Sequence, residues 1–374
     1  MLFNGELDPT FGAGGIYEFP DELNPSAIAV DANGKLLVAE LGLVWRRRSG
    51  GGIDRTYNNG RGAVGLNMSI ATIELQKDGK ALVAGMSLGN FAVARLTKEG
   101  ELDRTFGENG YFSLPGYPDS RGEHFSLRSG RIAISGSTNI TDGLLVMLDI
   151  DGKLDKTFSQ DGIATFGNEV ISKDVSIGRN GAVTVVLDIQ KGAGARVMRM
   201  TKSGELDERF SEDGISPLIK SMTYADRFVA TDGSVIVAGI NVSNEAPLLA
   251  RITRFGKIDR SFGESGYQIL STPSIVSMGG LQSADGKHYL FGSTGSNLED
   301  TGNDEHIYLA RLTVDGRLDE LFGEAGVITI SPHYQEHPYG AAFTKQSDKL
   351  IILGGSFTTG LFSGLKGILA RVIL

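Results

Sequence analysis

The sequence contains no cysteine, which excludes disulfides, zinc–thiolate sites and thiol nucleophiles. Proline is also scarce, at 10 of 374 residues, whereas glycine is abundant at 52. A chain rich in glycine and poor in proline, with a regular period, is typical of many tight turns rather than of a disordered linker.

An excess of positive charge is missing as well. The chain has 36 Lys and Arg residues against 45 Asp and Glu, a formal net charge of −9. Because nucleic-acid binding needs a basic face, we expect no nucleic-acid partner. No apolar run reaches transmembrane length, and the start, MLFNGELDPT, lacks the basic and apolar regions of a signal peptide. We therefore expect no membrane insertion and, by default, a cytoplasmic location.

One phrase recurs along the chain, with GELDRTFGENG as its clearest copy. The copies, which we call connectors, lie at about 5–15, 51–62, 100–110, 152–162, 204–214, 256–266 and 316–326. Their aspartates are Asp8, Asp54, Asp103, Asp155, Asp207, Asp259 and Asp319, spaced by 46 to 60 residues. Internal periods of this size indicate solenoids, propellers or arrays.

Each repeat contains four short segments rich in Val, Ile, Leu and Ala, bounded by Gly, Asn or Asp. This pattern is typical of strands and hairpins. Four strands in each of seven repeats predict an all-β fold, a seven-bladed β-propeller of four-stranded antiparallel blades, as a single domain over residues 1–374. The segments after the connectors, from GIYEF to GVITI, are expected to be the inner strands.

The constant residues of the connector predict local contacts. An arginine precedes the aspartate by eight residues in five repeats, and Met147 breaks the pattern in the third. We expect each such pair to face across a hairpin, where opposite charges attract. The aromatic residue three positions after the aspartate is expected to anchor the connection, and the following glycine to supply a positive φ.

The chain ends predict a further pair. The C-terminal segment GILARVIL is a fourth strand with no connector after it, and the N-terminal connector has no fourth strand before it. If the N-terminal segment completes the hairpin that the C-terminal strand begins, Arg371 faces Asp8 and the ring is closed.

These repeats resemble the delta-60 repeat family of bacterial proteins, whose unit reads much like LDRTFGENG followed by the DGKALVAG hairpin and ARLTKEG. The resemblance covers nearly the whole chain, from Gly5 to Leu374. It implies a β-propeller and implies no catalytic residues.

Loops on the face opposite the connectors differ from repeat to repeat, and such variable faces often bind ligands. The side chains expected there are histidines and tyrosines, which both stack and hydrogen-bond. The candidate ligand-binding residues are Tyr117, His124, Tyr224, His306, His333, Tyr334, His337 and Tyr339. The interpretation is a non-catalytic propeller that binds a small molecule, a glycan or a protein and needs no cofactor.

The alternative is a metal-dependent hydrolase or lyase at the mouth of the central channel. Residues just past the expected inner strands carry suitable oxygen and nitrogen ligands for one divalent metal such as calcium. They are Glu22, Asn67, Asn168, Glu169 and His333.

Overall fold

The computed structural model describes residues 5–22, 25–139, 141–167, 169–190, 194–229, 233–270, 275–282, 285–294, 306–330, 338–346, 348–357 and 365–374. All the secondary-structure elements named in this described part are β-strands. None of the described residues forms a helix of the length and apolarity that a membrane crossing needs.

The strands fall into two compact groups along the chain. The first unit comprises residues 1–65, 245–247 and 270–374, and the second comprises 66–244 and 248–269. The prediction of a single domain over 1–374 stays a prediction.

The first unit holds three four-stranded antiparallel sheets. One consists of β1 (Ile16–Glu22), β25 (Pro338–Gln346), β26 (Lys349–Phe357) and β27 (Leu365–Ile373), in the order β1-β27-β26-β25. The second is β2 (Pro25–Val30), β3 (Leu36–Glu40), β4 (Leu43–Arg47) and β5 (Ala63–Gly65). The third is β21 (Ile275–Gln282), β22 (His288–Thr294), β23 (His306–Leu312) and β24 (Val327–Ile330).

The second unit holds two four-stranded sheets and one larger sheet. The four-stranded sheets are β6 (Ser69–Leu75), β7 (Ala81–Ser87), β8 (Asn90–Leu96) and β9 (Tyr111–Leu114), and β17 (Met222–Val229), β18 (Val235–Asn241), β19 (Pro247–Ile252) and β20 (Tyr267–Ile269). The seven-stranded sheet contains β10 (Arg121–Arg128), β11 (Arg131–Thr138), β12 (Asp142–Asp149), β13 (Ile163–Thr165), β14 (Val170–Ile177), β15 (Val183–Ile189) and β16 (Gly194–Met200).

The all-β propeller prediction is confirmed, but the prediction of seven four-stranded blades is wrong, because five sheets have that form. Two local features explain the difference. A parallel bridge between Asp142 and Val170 joins β12 to β14 and merges two repeats into one sheet. After β16 the chain makes only isolated bridges at Ile215 and Ile219. Pro217 lies between them and lacks the N–H that a continuous strand needs.

The strands that follow the connectors are also placed differently from the prediction. β9 pairs with β8, and β24 with β23, each at the outer edge of its sheet. The inner strands are instead the first strands of each repeat, because β10 contacts β6 and β14, and β25 contacts β2 and β21. The segments from GIYEF to GVITI are therefore edge strands, except GISPL, which forms only isolated bridges.

The cores lie between neighbouring sheets of one unit. Second and third strands supply most of the apolar side chains, and β7, β11 and β15 are almost continuously buried. Each connector adds one fully buried aromatic ring, at Phe11, Tyr57, Phe106, Phe158, Phe210, Phe262 and Phe322. The predicted anchoring role of this position is confirmed.

The connector at 100–110 shows the contacts that most repeats share, which we call the clamp. Asp103 Oδ2 accepts hydrogen bonds from Arg95 Nε at 2.7 Å and lies 2.9 Å from Lys80 Nζ. Its Oδ1 accepts from the hydroxyl of Thr105 at 2.7 Å and from the backbone N–H of Thr105 at 3.1 Å. Burial alone would raise the pKa of Asp103, but these hydrogen bonds and the Arg95 charge outweigh it and hold the pKa far below its usual range.

The clamp also joins one repeat to the next. The Arg95 guanidinium lies 4.8 Å from the centre of the Phe106 ring, and its Nη1 donates to the carbonyl of Ile150 in the following turn. The same arginine-to-carbonyl bond joins Arg131 to Lys202 and Arg199 to Arg254 in the second unit. One guanidinium therefore holds an aspartate, a core aromatic ring and the neighbouring repeat.

The glycine of the connector is required by backbone geometry. Gly110 has φ +100°, and a Cβ at this position would lie 2.5 Å from the side chain of Leu102. Any other residue would be both strained and overpacked here, which confirms the predicted positive φ.

The chain ends meet as predicted. β1 pairs with β27, and Arg371 Nε donates to Asp8 Oδ2 at 2.8 Å. Lys349 and Thr10 complete a clamp around the same carboxylate, whose side chain is 1% exposed. The first connector therefore closes the sheet that the last strands begin.

We expect Asp103→Ala to lower the free energy of unfolding by about 3 kcal/mol, because it leaves the buried Arg95 guanidinium without its carboxylate. Urea unfolding followed by circular dichroism measures the loss. Asp207→Ala is the matched control, because its carboxylate pairs with the side chain of Arg209, which is 79% exposed. A loss at Asp207 as large as that at Asp103 would contradict the role of the buried clamp.

Deleting residues 1–12 should destabilise the protein strongly, because it removes Asp8 and exposes the edge of β27 that faces the first connector. Thermal unfolding and light scattering should show a lower Tm and aggregation. A deletion that leaves both unchanged would show that this clamp contributes nothing to stability.

Candidate functional site

The structure describes the side chains of only three predicted ligand-binding residues. Tyr117 lies in a turn and packs against the hydrophobic core of the second unit. His124 lies half-buried within β10, opposite Ser135, and His306 begins β23. Tyr117 thus contributes to packing, and the two histidines lie in strands rather than loops.

The other five fall where less is described. Tyr224 and Tyr339 lie in β17 and β25, with side chains outside the described part. His333, Tyr334 and His337 lie outside the described residues. Their role in ligand binding stays a prediction.

The residues of the metal alternative are spread over both units. Glu22 ends β1 opposite Lys366, and its side chain is outside the described part. Asn67 and Glu169 are exposed, and their backbone carbonyls accept hydrogen bonds from Ser87 Oγ and Gln190 N. Asn168 and His333 lie outside the described residues. Within the described ranges, no group of three or more His, Asp or Glu side chains is placed to hold a metal ion.

Two carboxylates on inner strands interact in the second unit. Glu74 lies on β6 and Asp174 on β14, and both strands contact β10. The Glu74 side chain reaches solvent. Even so, burial by the surrounding protein raises its pKa to about 7, and the negative charge of Asp174 adds to the effect. A carboxyl that titrates near neutral pH can exchange a proton with a bound ligand.

The connector at 204–214 departs from the clamp. The second strand of most repeats is preceded or begun by a lysine or arginine that binds the aspartate, as Lys80 and Arg131 do. Ala182 takes this place in the fourth repeat. Arg209 stands where Thr105, Thr157 and three further connectors have a hydroxyl.

These changes redirect Asp207. Arg209 Nε donates to Asp207 Oδ1 at 2.8 Å, and Arg209 Nη2 donates to Oδ2 at 3.2 Å. The Nε of Arg199 donates to the Thr184 hydroxyl at 3.4 Å and not to the Asp207 carboxylate. The two residues do face each other across the hairpin, because Asp207 N donates to Arg199 O at 2.9 Å. Their side chains do not form the ion pair that is confirmed for Arg46, Arg95, Arg251 and Arg311.

The missing lysine leaves a cavity of about 400 Å³ in the second unit, which we call the arginine pocket. Four arginines and one aspartate line it, giving four positive charges, one negative charge and a net +3: Arg179, Arg199, Arg209, Arg254 and Asp207. Burial lowers the pKa of Arg199, an effect that Asp207 opposes and Arg209 reinforces. This concentration of positive charge contrasts with the net −9 of the chain.

The backbone holds Arg199 in place. Its Nη1 donates to the carbonyl of Arg254 at 2.7 Å, which is the arginine-to-carbonyl bond of the other clamps. Arg179 and Arg254 are exposed and make no side-chain hydrogen bond to the described residues. The pocket thus combines one ordered guanidinium with two that point toward solvent.

Reasoning from the sequence missed this pocket, although a signal was present. The residue directly after the turn glycine that precedes the second strand is Lys35, Lys80, Arg131 or Lys287 in four other repeats and Ala182 in this one. Alignment on the connector aspartates places Arg209 at the hydroxyl position. The structure brings these two positions together in the wall of one pocket.

Comparison with known proteins supports a β-propeller family. Residues 76–106 match the profile of a family described as "Domain of unknown function (DUF5122) beta-propeller". The matched stretch contains Lys80, Arg95, Asp103 and Phe106, which form the clamp. No curated protein matches the chain.

Solved structures support the same fold. Polysaccharide lyase Uly1 is similar with a TM-score of 0.54 at 12% identity, over 100% of this chain and 97% of that one. Drosophila Semaphorin 1b, extracellular domains 1–2, has a TM-score of 0.50 at 8% identity, over 98% and 87%. Prolyl oligopeptidase B from Galerina marginata has a TM-score of 0.52 at 10% identity, over 94% of this chain and 49% of that one. At these identities the likeness concerns the fold alone.

We expect Glu74→Gln to remove a loss of stability that the wild type shows as the pH rises through about 7. The folded state binds this proton more tightly than the unfolded state, whose glutamate has a pKa of about 4.3. The stabilisation of the folded state by protonated Glu74 is therefore complete below about pH 4.3 and disappears above pH 7. Tm measured from pH 4 to 9 gives the profile. Glu99→Gln, at an exposed turn, is the control, and a Glu74→Gln profile that follows the wild type would refute the assignment.

Proposed function

We propose that the chain is a non-catalytic, ligand-binding β-propeller of the delta-60 repeat type, and that its ligand is a small anionic molecule held in the arginine pocket. The observation that carries the proposal is the net +3 charge of a cavity in an acidic chain. Guanidinium groups bind phosphate and carboxylate oxygens with paired N–H donors.

The size of the pocket favours a small molecule. A volume of about 400 Å³ lies within the range of roughly 300–1,000 Å³ that is typical of small-molecule sites. Polar groups that fix a ligand's orientation are also present, because Asn180, Thr184 and the backbone of Gly233 line the same cavity.

The local electrostatics favour an anion over a neutral ligand. In other repeats the arginine at the position of Arg199 binds the connector aspartate. Here Arg209 binds and neutralises Asp207, and Arg199 Nε donates to Thr184. The partly buried Arg199 guanidinium is repelled by the exposed Arg209 guanidinium, which contributes to the lowered pKa of Arg199. A bound anion would relieve this repulsion.

A second candidate function is hydrolysis or elimination at the inner strands of the second unit. Glu74 favours it, because a pKa of about 7 suits a general acid or base. The variable loops with His333, Tyr334 and His337 stay a candidate surface for a glycan or protein partner.

The main experiment compares the wild type with a variant in which the usual clamp is restored. Ala182→Lys with Arg209→Thr supplies the lysine and hydroxyl that other repeats use. We expect it to fill the pocket and abolish the binding of inorganic phosphate and citrate in isothermal titration calorimetry, with Tm equal to or above that of the wild type.

Two single variants test whether the positive charge that matters for phosphate binding lies in the pocket. Arg254→Gln should weaken phosphate binding about tenfold, because an exposed guanidinium is lost while the fold is retained. Arg104→Gln, an exposed arginine outside the pocket, should leave it unchanged. Absence of phosphate and citrate binding by the wild type, or equal binding by the clamp-restored variant, would overturn the proposal.

A further inference from the structure

A second departure from the repeat lies at the rim of the arginine pocket. The residue before the first glycine of a connector is polar in the neighbouring turns, at Glu99, Asp151, Ser203 and Asp315. Phe255 occupies this place in the turn that borders the pocket, and it is 58% exposed. Exposure of a phenylalanine ring to water is unfavourable unless another group covers it.

Phe255 does not stand alone. The guanidinium of Arg254 lies 4.7 Å from the centre of its ring. Arginine and aromatic side chains that lie together present a planar surface on which flat rings stack. The same turn therefore contributes a positive charge and an aromatic face to one cavity.

The cavity has room for more than an inorganic ion. A water molecule occupies about 30 Å³ of the liquid, so that a cavity of about 400 Å³ greatly exceeds the needs of a tetrahedral oxyanion. Asn180 accepts a hydrogen bond from the backbone N–H of Ala182 through Oδ1. Asn180 lines the cavity, and its amide group also has two N–H donors.

We infer that the pocket binds a phosphate monoester carried on a flat aromatic or heterocyclic ring. The inference rests on the proposed function and adds the class of ligand. The net +3 charge matches a dianionic phosphate better than a single carboxylate. Arg199 and Arg254 bind the phosphate, and the ring stacks against Phe255.

Three probes test the inference with the full chain: inorganic phosphate, ribose 5-phosphate and phenyl phosphate. We expect phenyl phosphate to bind at least about tenfold more tightly than ribose 5-phosphate in titration calorimetry, because ring stacking contributes only with the aromatic probe. Phe255→Leu should remove this difference and leave the affinity for inorganic phosphate within about twofold.

Two controls keep the outcomes distinct. Phe255→Tyr should retain the preference for phenyl phosphate, and Ile150→Ala, in the equivalent turn of an earlier repeat, should leave all three affinities unchanged. Equal binding of phenyl and ribose phosphates, unaffected by Phe255→Leu, would overturn the ligand class while leaving anion binding intact. No binding of any phosphate would overturn this inference, and the absence of citrate binding as well would overturn the proposed function.

Discussion

The interaction on which the repeats depend is the contact of one arginine with three partners. Arg95 binds the connector carboxylate, lies against the buried Phe106 ring and donates to the Ile150 carbonyl of the next repeat. A buried carboxylate of this kind is favourable only when its hydrogen-bonding capacity is satisfied. Lysine, arginine and threonine meet that requirement together, which explains why the phrase recurs with so little change.

Because several partners bind the connector aspartate, the loss of one partner can be compensated by another residue. Met147 replaces the arginine in the third repeat, and Arg131 supplies the missing charge, with its Nε 2.7 Å from Asp155 Oδ2. The fourth repeat loses the lysine instead, and Arg209 satisfies Asp207 from the solvent side. The exposed Arg209 keeps the Asp207 carboxylate paired, and the place of the missing lysine becomes part of the positively charged arginine pocket.

The proposed site thus lies on the repeated connectors and second strands, whereas the sequence predicted a site on the variable loops. Because the repeat occurs several times in one chain, each repeat can be compared with the others and its departures can be identified. Ala182, Arg209 and Phe255 are separated by up to 73 residues in sequence, yet they border one cavity. One departure from the repeat would not indicate a site. Three departures that border the same cavity do indicate one.

The sequence by itself determined the strand-rich repeat, the connector contacts and the pairing of the chain ends. These features are local or follow from hairpin symmetry, so that spacing along the chain is sufficient to predict Arg95 opposite Asp103 and Arg371 opposite Asp8. Only the tertiary structure decided the sheet count and which strands lie innermost. The Asp142–Val170 bridge and the break at Pro217 depend on how neighbouring strands meet. The arginine pocket was decided there as well, because a cavity arises from side chains that are missing as much as from those present, and its walls come from two successive repeats.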